Sequence, residues 1–141
     1  MRLERKDIED MLPHRAPILL ADSIDVATPG EAGVGQVRLP ADTVLWDSWT
    51  GDHLTDELIL EGAAQVLGVV MSTGPARPES PGQRLLLSFD KVEFHAAADP
   101  GKDIQIQVRV EGRFGAMSVG DFNASQDGLL LAAGKIGVMG G

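Results

Sequence analysis

Asp56-Glu57-Leu58-Ile59-Leu60-Glu61-Gly62-Ala63-Ala64-Gln65-Val66-Leu67-Gly68-Val69-Val70-Met71 is the longest apolar run in the chain, and a carboxylate stands inside it. Between Leu58 and Met71 the only polar side chains are Glu61 and Gln65. They are one helical turn apart, so on a helix they share a face. The surrounding Leu, Ile, Val, Ala, Gly and Met predict a helix over 58–71, buried on nearly all sides. A carboxylate is rarely buried unless it is paired or used. Burial favours its neutral form and moves it toward acid–base chemistry. Two readings of Glu61 stand side by side: a proton-transfer group, or a helix-start or ion-paired residue that serves the fold.

Outward from this helix the chain is read in order. Arg5 to Leu12 forms a short helix with Ile8, Met11 and Leu12 on one side, ended by Pro13 and Pro17. Ile18 to Val26 and Gly33 to Leu39 read as strands, separated by a Pro29-Gly30 turn. Residues 40–56 read as a loop that carries both tryptophans, Trp46 and Trp49, together with Asp47 and His53. The tryptophans either plug the end of the core or line a pocket mouth or subunit interface. A Pro- and Gly-rich loop over 73–82 follows the helix. Strands are then predicted over 84–97, 104–110, 116–125 and 129–138. The run Ile104-Gln105-Ile106-Gln107-Val108-Arg109-Val110 has strict period two. Turns are expected at Gly112–Gly115 and Gln126–Gly128. One long apolar helix with an antiparallel sheet is an α+β pattern, and the 141 residues read as a single domain over 1–141.

Composition narrows the function classes. The net charge of −9 argues against nucleic acid and against an anionic membrane surface, since nothing offsets phosphate repulsion. The chain has no cysteine, hence no disulfide, thiolate nucleophile or thiolate metal site, which fits a reducing cytoplasm. Its charged start lacks the apolar stretch of a signal peptide. His14, His53 and His95 have no metal-ligand spacing to carboxylates, so neither a metal nor another cofactor is expected.

Three stretches carry a family resemblance. Leu12-Pro13-His14-Arg15-Ala16-Pro17-Ile18-Leu19-Leu20-Ala21-Asp22 resembles the LPHRxPxLLxD opening of the hotdog-fold 3-hydroxyacyl-[acyl carrier protein] dehydratases. Leu60-Glu61-Gly62-Ala63-Ala64-Gln65 resembles their LEAxAQ motif. Phe89-Asp90-Lys91-Val92-Glu93-Phe94, followed by Asp99-Pro100-Gly101-Lys102, resembles their later strand and PGD-type turn. The resemblance implies a hotdog fold, with an antiparallel sheet wrapped around one long central helix, and a dimer in which two sheets join. It also implies a His that takes the α-proton of the thioester and an acid that protonates the departing β-hydroxyl. The product is a trans-2-enoyl chain.

The acid carries over to Glu61. The His does not: the family pattern H-F-P-G-x-P-x-x-P-G-x-x-x-x-E places it fourteen positions earlier, and 61 − 14 = 47 is Asp47. Shifting the gap by two residues brings Trp49 there instead. Asp47 facing Glu61 would share a proton with it and make a poor base. His53 lies six residues beyond position 47, and His14 belongs to the opening motif. The resemblance therefore implies a heterodimeric dehydratase for fatty acyl or polyene polyketide chains. This chain supplies Glu61 as general acid, and a homologous partner supplies the His. Gln65 orients acid or water, a helix N-terminus near Gly62 polarises the thioester carbonyl, and Trp49 and Asp47 line the substrate site. The alternatives are a non-catalytic hotdog subunit that stabilises a partner or holds an acyl carrier protein, and a hotdog thioesterase. A carrier protein is acidic, and Arg2, Arg5, Lys6 and Arg15, or Arg109 and Arg113, are candidates for a basic docking patch.

Overall fold

A computed structural model describes residues 1–12, 19–38, 53–74, 85–99 and 102–140. The central helix, α2 (His53–Ser72), is the element on which the sheet is laid. Before it come β1 (Arg2–Glu4), α1 (Arg5–Met11), β2 (Ala21–Thr28) and β3 (Ala32–Arg38). After it come β4 (Leu85–Phe94), β5 (Asp103–Phe114), β6 (Met117–Gln126) and β7 (Leu129–Gly140). The seven strands form one sheet in the order β1-β2-β3-β5-β6-β7-β4, every neighbouring pair antiparallel.

The helix lies over β2, β3, β5 and β6. Ile59, Ala63, Val66 and Val70, spaced by four, three and four, are each fully buried on one stripe of it. Against them β5 turns Ile104, Ile106 and Val108 inward and leaves Gln105 and Gln107 outside. Burying such side chains is worth roughly 1.5–3 kcal/mol each relative to exposure. Close approach of helix to sheet depends on β3: a Cβ at Gly35 would stand 2.4 Å from Val66 Cγ2.

Several expectations are corrected. The helix starts at His53, within the stretch read as loop. Its first turn is polar, with Asp56 favouring the positive end of the dipole, so an apolar pattern misses it. Glu61 therefore sits in the third turn and is not a helix-start residue. β1 was not anticipated: three residues are too few to show alternation, yet they pair with Ser23–Asp25. Gly112–Gly115 is not all turn. β5 runs on to Phe114 past a register shift between Val110 and Gly112, and the reversal is Gly115-Ala116, with Gly115 at φ 64°. Asp127 and Gly128, both at positive φ, make the next turn as expected.

At the far edge, β4 pairs with β7. Phe89 and Phe94, opposite the buried Ile136 and Ala132, are 37% and 42% exposed there.

Candidate active site

Glu61 and Gln65 are brought together as their spacing requires: Gln65 Nε2 donates to Glu61 Oε1 at 3.3 Å. The helix alone does not explain why the amide nitrogen, and not the amide oxygen, faces the acid. That oxygen is taken by the entry to β2, where Leu20 N–H donates to Gln65 Oε1 at 2.9 Å and Ala21 N–H to the same atom at 3.4 Å. With its oxygen claimed by two backbone donors, the amide has only its NH2 to offer Glu61. Gln65 is 2% exposed, so it lies behind Glu61.

Glu61 is half-buried, less enclosed than its apolar neighbours suggest. The reason is visible in the helix: Ile59, Ala63, Val66 and Val70 face the sheet, while Leu58, Leu60, Glu61, Ala64 and Gly68 on other sides keep partial exposure.

Gly62 does not mark a helix N-terminus. It lies in the third turn, where backbone N–H groups are committed to the helical ladder. A Cβ there would meet Val37 Cγ1 at 3.1 Å and Ile106 Cδ1 at 3.3 Å, so Gly62 is a packing position against the sheet. Trp46, Asp47, Trp49, His14 and Arg15 lie outside the described residues, as does the side chain of His53, which begins α2. His95 follows β4, is exposed, and places Nε2 3.7 Å from Glu93 Oε2.

Among the described residues, three of the candidate basic groups are engaged within this chain. Arg2 pairs with Glu4 at 2.8 Å and Asp25 at 3.1 Å, and Arg5 with Asp22 at 2.8 Å. Arg113 donates to Gly30 O at 3.0 Å. Arg2 and Arg5, two of the candidates for a docking patch, are thus paired with this chain's own carboxylates. Among the described residues no cluster of His, Asp or Glu has the arrangement of a metal site, and no helix is long and apolar enough to cross a membrane.

A long helix laid on an antiparallel sheet of this strand order, with an acid and a glutamine one turn apart on it, defines a hotdog protein. Among solved structures the chain superposes on the dehydratase heterocomplex ApeI:P from Xenorhabdus doucetiae with a TM-score of 0.71, at 22% identity over 95% of this chain and 90% of that one. It also superposes on the fluoroacetyl-CoA thioesterase FlK with a TM-score of 0.61, at 16% identity over 82% of this chain and 88% of that one. The fold is therefore hotdog, and the fold alone does not choose between chemistries. In sequence the chain is 29% identical to the 3-hydroxyacyl-[acyl-carrier-protein] dehydratase FabZ of Syntrophotalea carbinolica, over 96% of this chain and 93% of that protein. Over nearly its whole length it is similar to FabZ dehydratases, at 27–29% identity. No family model matches it.

Proposed function

We propose that this chain is the acid-bearing subunit of a heterodimeric 3-hydroxyacyl-[acyl carrier protein] dehydratase, cytoplasmic, serving fatty acid or polyene polyketide synthesis. The observation that carries the reading is Glu61, held by Gln65 in a stretch, 58–71, that is otherwise apolar; beside it, the family resemblance puts Asp47 or, with the gap shifted, Trp49 where the family has its His. A homologous subunit brings the imidazole. Its ring nitrogen takes the α-proton of the 3-hydroxyacyl thioester, the electron pair forms the Cα–Cβ double bond, and the Cβ–O bond breaks. Glu61 gives its proton to the leaving oxygen, so water departs and a trans-2-enoyl thioester remains. Exposed Phe89 and Phe94 on the open edge at β4 support a second hotdog chain as the cover for that edge. The acyl carrier protein is acidic, and a basic partner subunit suits both it and the −9 charge of this chain.

The test is co-expression with a homologous chain that carries the His. A stable 1:1 complex that dehydrates 3-hydroxyacyl-carrier substrates, and whose Glu61→Gln variant assembles without turnover, is the expected result. Brisk turnover by a homodimer of this chain overturns the shared-site reading. An active complex indifferent to Glu61→Gln leaves this chain a non-catalytic stabiliser.

A further inference from the structure

We propose that the Arg5–Asp22 ion pair is a positioning device for Glu61, acting through a bulge at the start of β2. The inference rests on the reading of Glu61 as the acid. Asp22 is the extra residue of that bulge: Ala21 pairs with Val37 and Ser23 with Gln36, so two steps on β2 face one on β3. In a regular strand, successive N–H groups point to opposite sides. Here Leu20 and Ala21 N–H both converge on Gln65 Oε1, while Leu20 O accepts from Arg38 N–H of β3 at 3.2 Å. The backbone at this point is therefore tied to β3 by a carbonyl and to α2 by two amides.

The carboxylate of the bulge residue is fixed from outside: Asp22 Oδ1 accepts from Arg5 Nη1 at 2.8 Å. Arg5 opens α1, whose start is itself set by the reciprocal capping box of Glu4 and Asp7. The links run from α1 through Arg5 and Asp22 to the turned amides of Leu20 and Ala21, then to Gln65 and to Glu61. Each is a hydrogen bond or a covalent neighbour. The Asp of the opening motif thereby acquires a role: it holds the amides that decide which end of Gln65 meets the acid.

The test uses the whole chain as Asp22→Asn, Arg5→Met and Arg5→Lys, with both side chains partly exposed so that the fold survives. Amide exchange of Leu20 and Ala21 is expected to quicken by about tenfold or more in Asp22→Asn and Arg5→Met, and the Gln65 side-chain amide resonances are expected to move. Arg5→Lys keeps most of the protection. In the assembled enzyme the same losses lower kcat about fivefold or more with KM nearly unchanged, and add nothing in a Gln65→Leu background. Unchanged exchange at Leu20 and Ala21, or an equal loss of kcat in the Gln65→Leu background, overturns the proposal. Loosened amides in a complex that never dehydrates sustain the positioning device and defeat the dehydratase reading.

Discussion

The C-terminal end and the middle of α2 spend their polar groups differently. At the C-terminal end, Gly30 N–H donates to Val70 O at 3.1 Å and to Thr73 Oγ1 at 3.2 Å, and Thr73 Oγ1 donates to Val70 O at 2.6 Å. Arg113 closes the knot on Gly30 O and sets a cation near the negative end of the helix. There the β2–β3 turn, the last carbonyls of the helix and β5 are sewn together, and the polar atoms serve the fold. In the third and fourth turns a carboxylate stands on an apolar helix, half-buried, with a buried amide dedicated to it. A helix stabilised for its own sake gains little from an acid there. What the difference teaches is that the C-terminal end ties the helix to the sheet, whereas the middle of the helix ties a buried amide to Glu61.

Breaking the sewn end is expected to have the largest effect. Gly30 lies at φ 76°, and a Cβ there would stand 2.8 Å from Gly74 Cα, a backbone atom that cannot step aside. Gly30→Ala should lose about 2–4 kcal/mol, from left-handed strain together with overpacking, read as the shift of the urea midpoint. The Gln65 amide signature of the folded fraction should stay as in the parent.

Gln65→Leu should do the opposite. Two buried N–H groups lose their acceptor, at about 1–3 kcal/mol, while turnover of the assembled enzyme falls out of proportion to stability. If both variants lose stability and turnover in step, the division between the two regions is wrong.

Arg113→Met should lose about 1 kcal/mol, the worth of one hydrogen bond near a helix end, without touching KM or kcat.

The smallest effect belongs to the outer face of the sheet, where Lys135 reaches Glu111 at 2.8 Å and Asp121 at 3.0 Å. Partial burial disfavours the charged form of Asp121, but its contacts with Glu111 and Lys135 outweigh this and hold its carboxyl below the usual carboxylate range. Hydrogen bonds to Glu111 and Asp121 raise the Lys135 ammonium above its ordinary value. A lowered carboxyl stabilises above its unfolded value and stops doing so as pH falls through the folded one; a raised ammonium stabilises below its unfolded value and stops as pH climbs through the folded one. The difference in Tm between the parent and Lys135→Met should therefore form a small plateau around neutrality, shrink at both extremes and fade in high salt.

Much of the architecture was legible along the chain. The apolar run of α2 and the period-two run of β5 are local patterns, and each placed its element. The opening motif, the LEGAAQ stretch and the later strand together led to the hotdog fold. The start of α2, the three-residue β1 and the extension of β5 past Gly112 were not legible, because polar first turns, very short strands and bulges carry no period. The loop stretch with Asp47 and Trp49 lies outside the described residues.

The sequence by itself determined that Glu61 and Gln65 share a helical face, since residues four apart must do so at 3.6 residues per turn. Only the tertiary structure decided which atom of Gln65 turns to the acid. That choice is made by the amides of Leu20 and Ala21, 45 and 44 residues away along the chain, and no local spacing can bring them there. It takes the strand order, the bulge at Asp22 and the seating of α2 on β3 to set those donors against one oxygen.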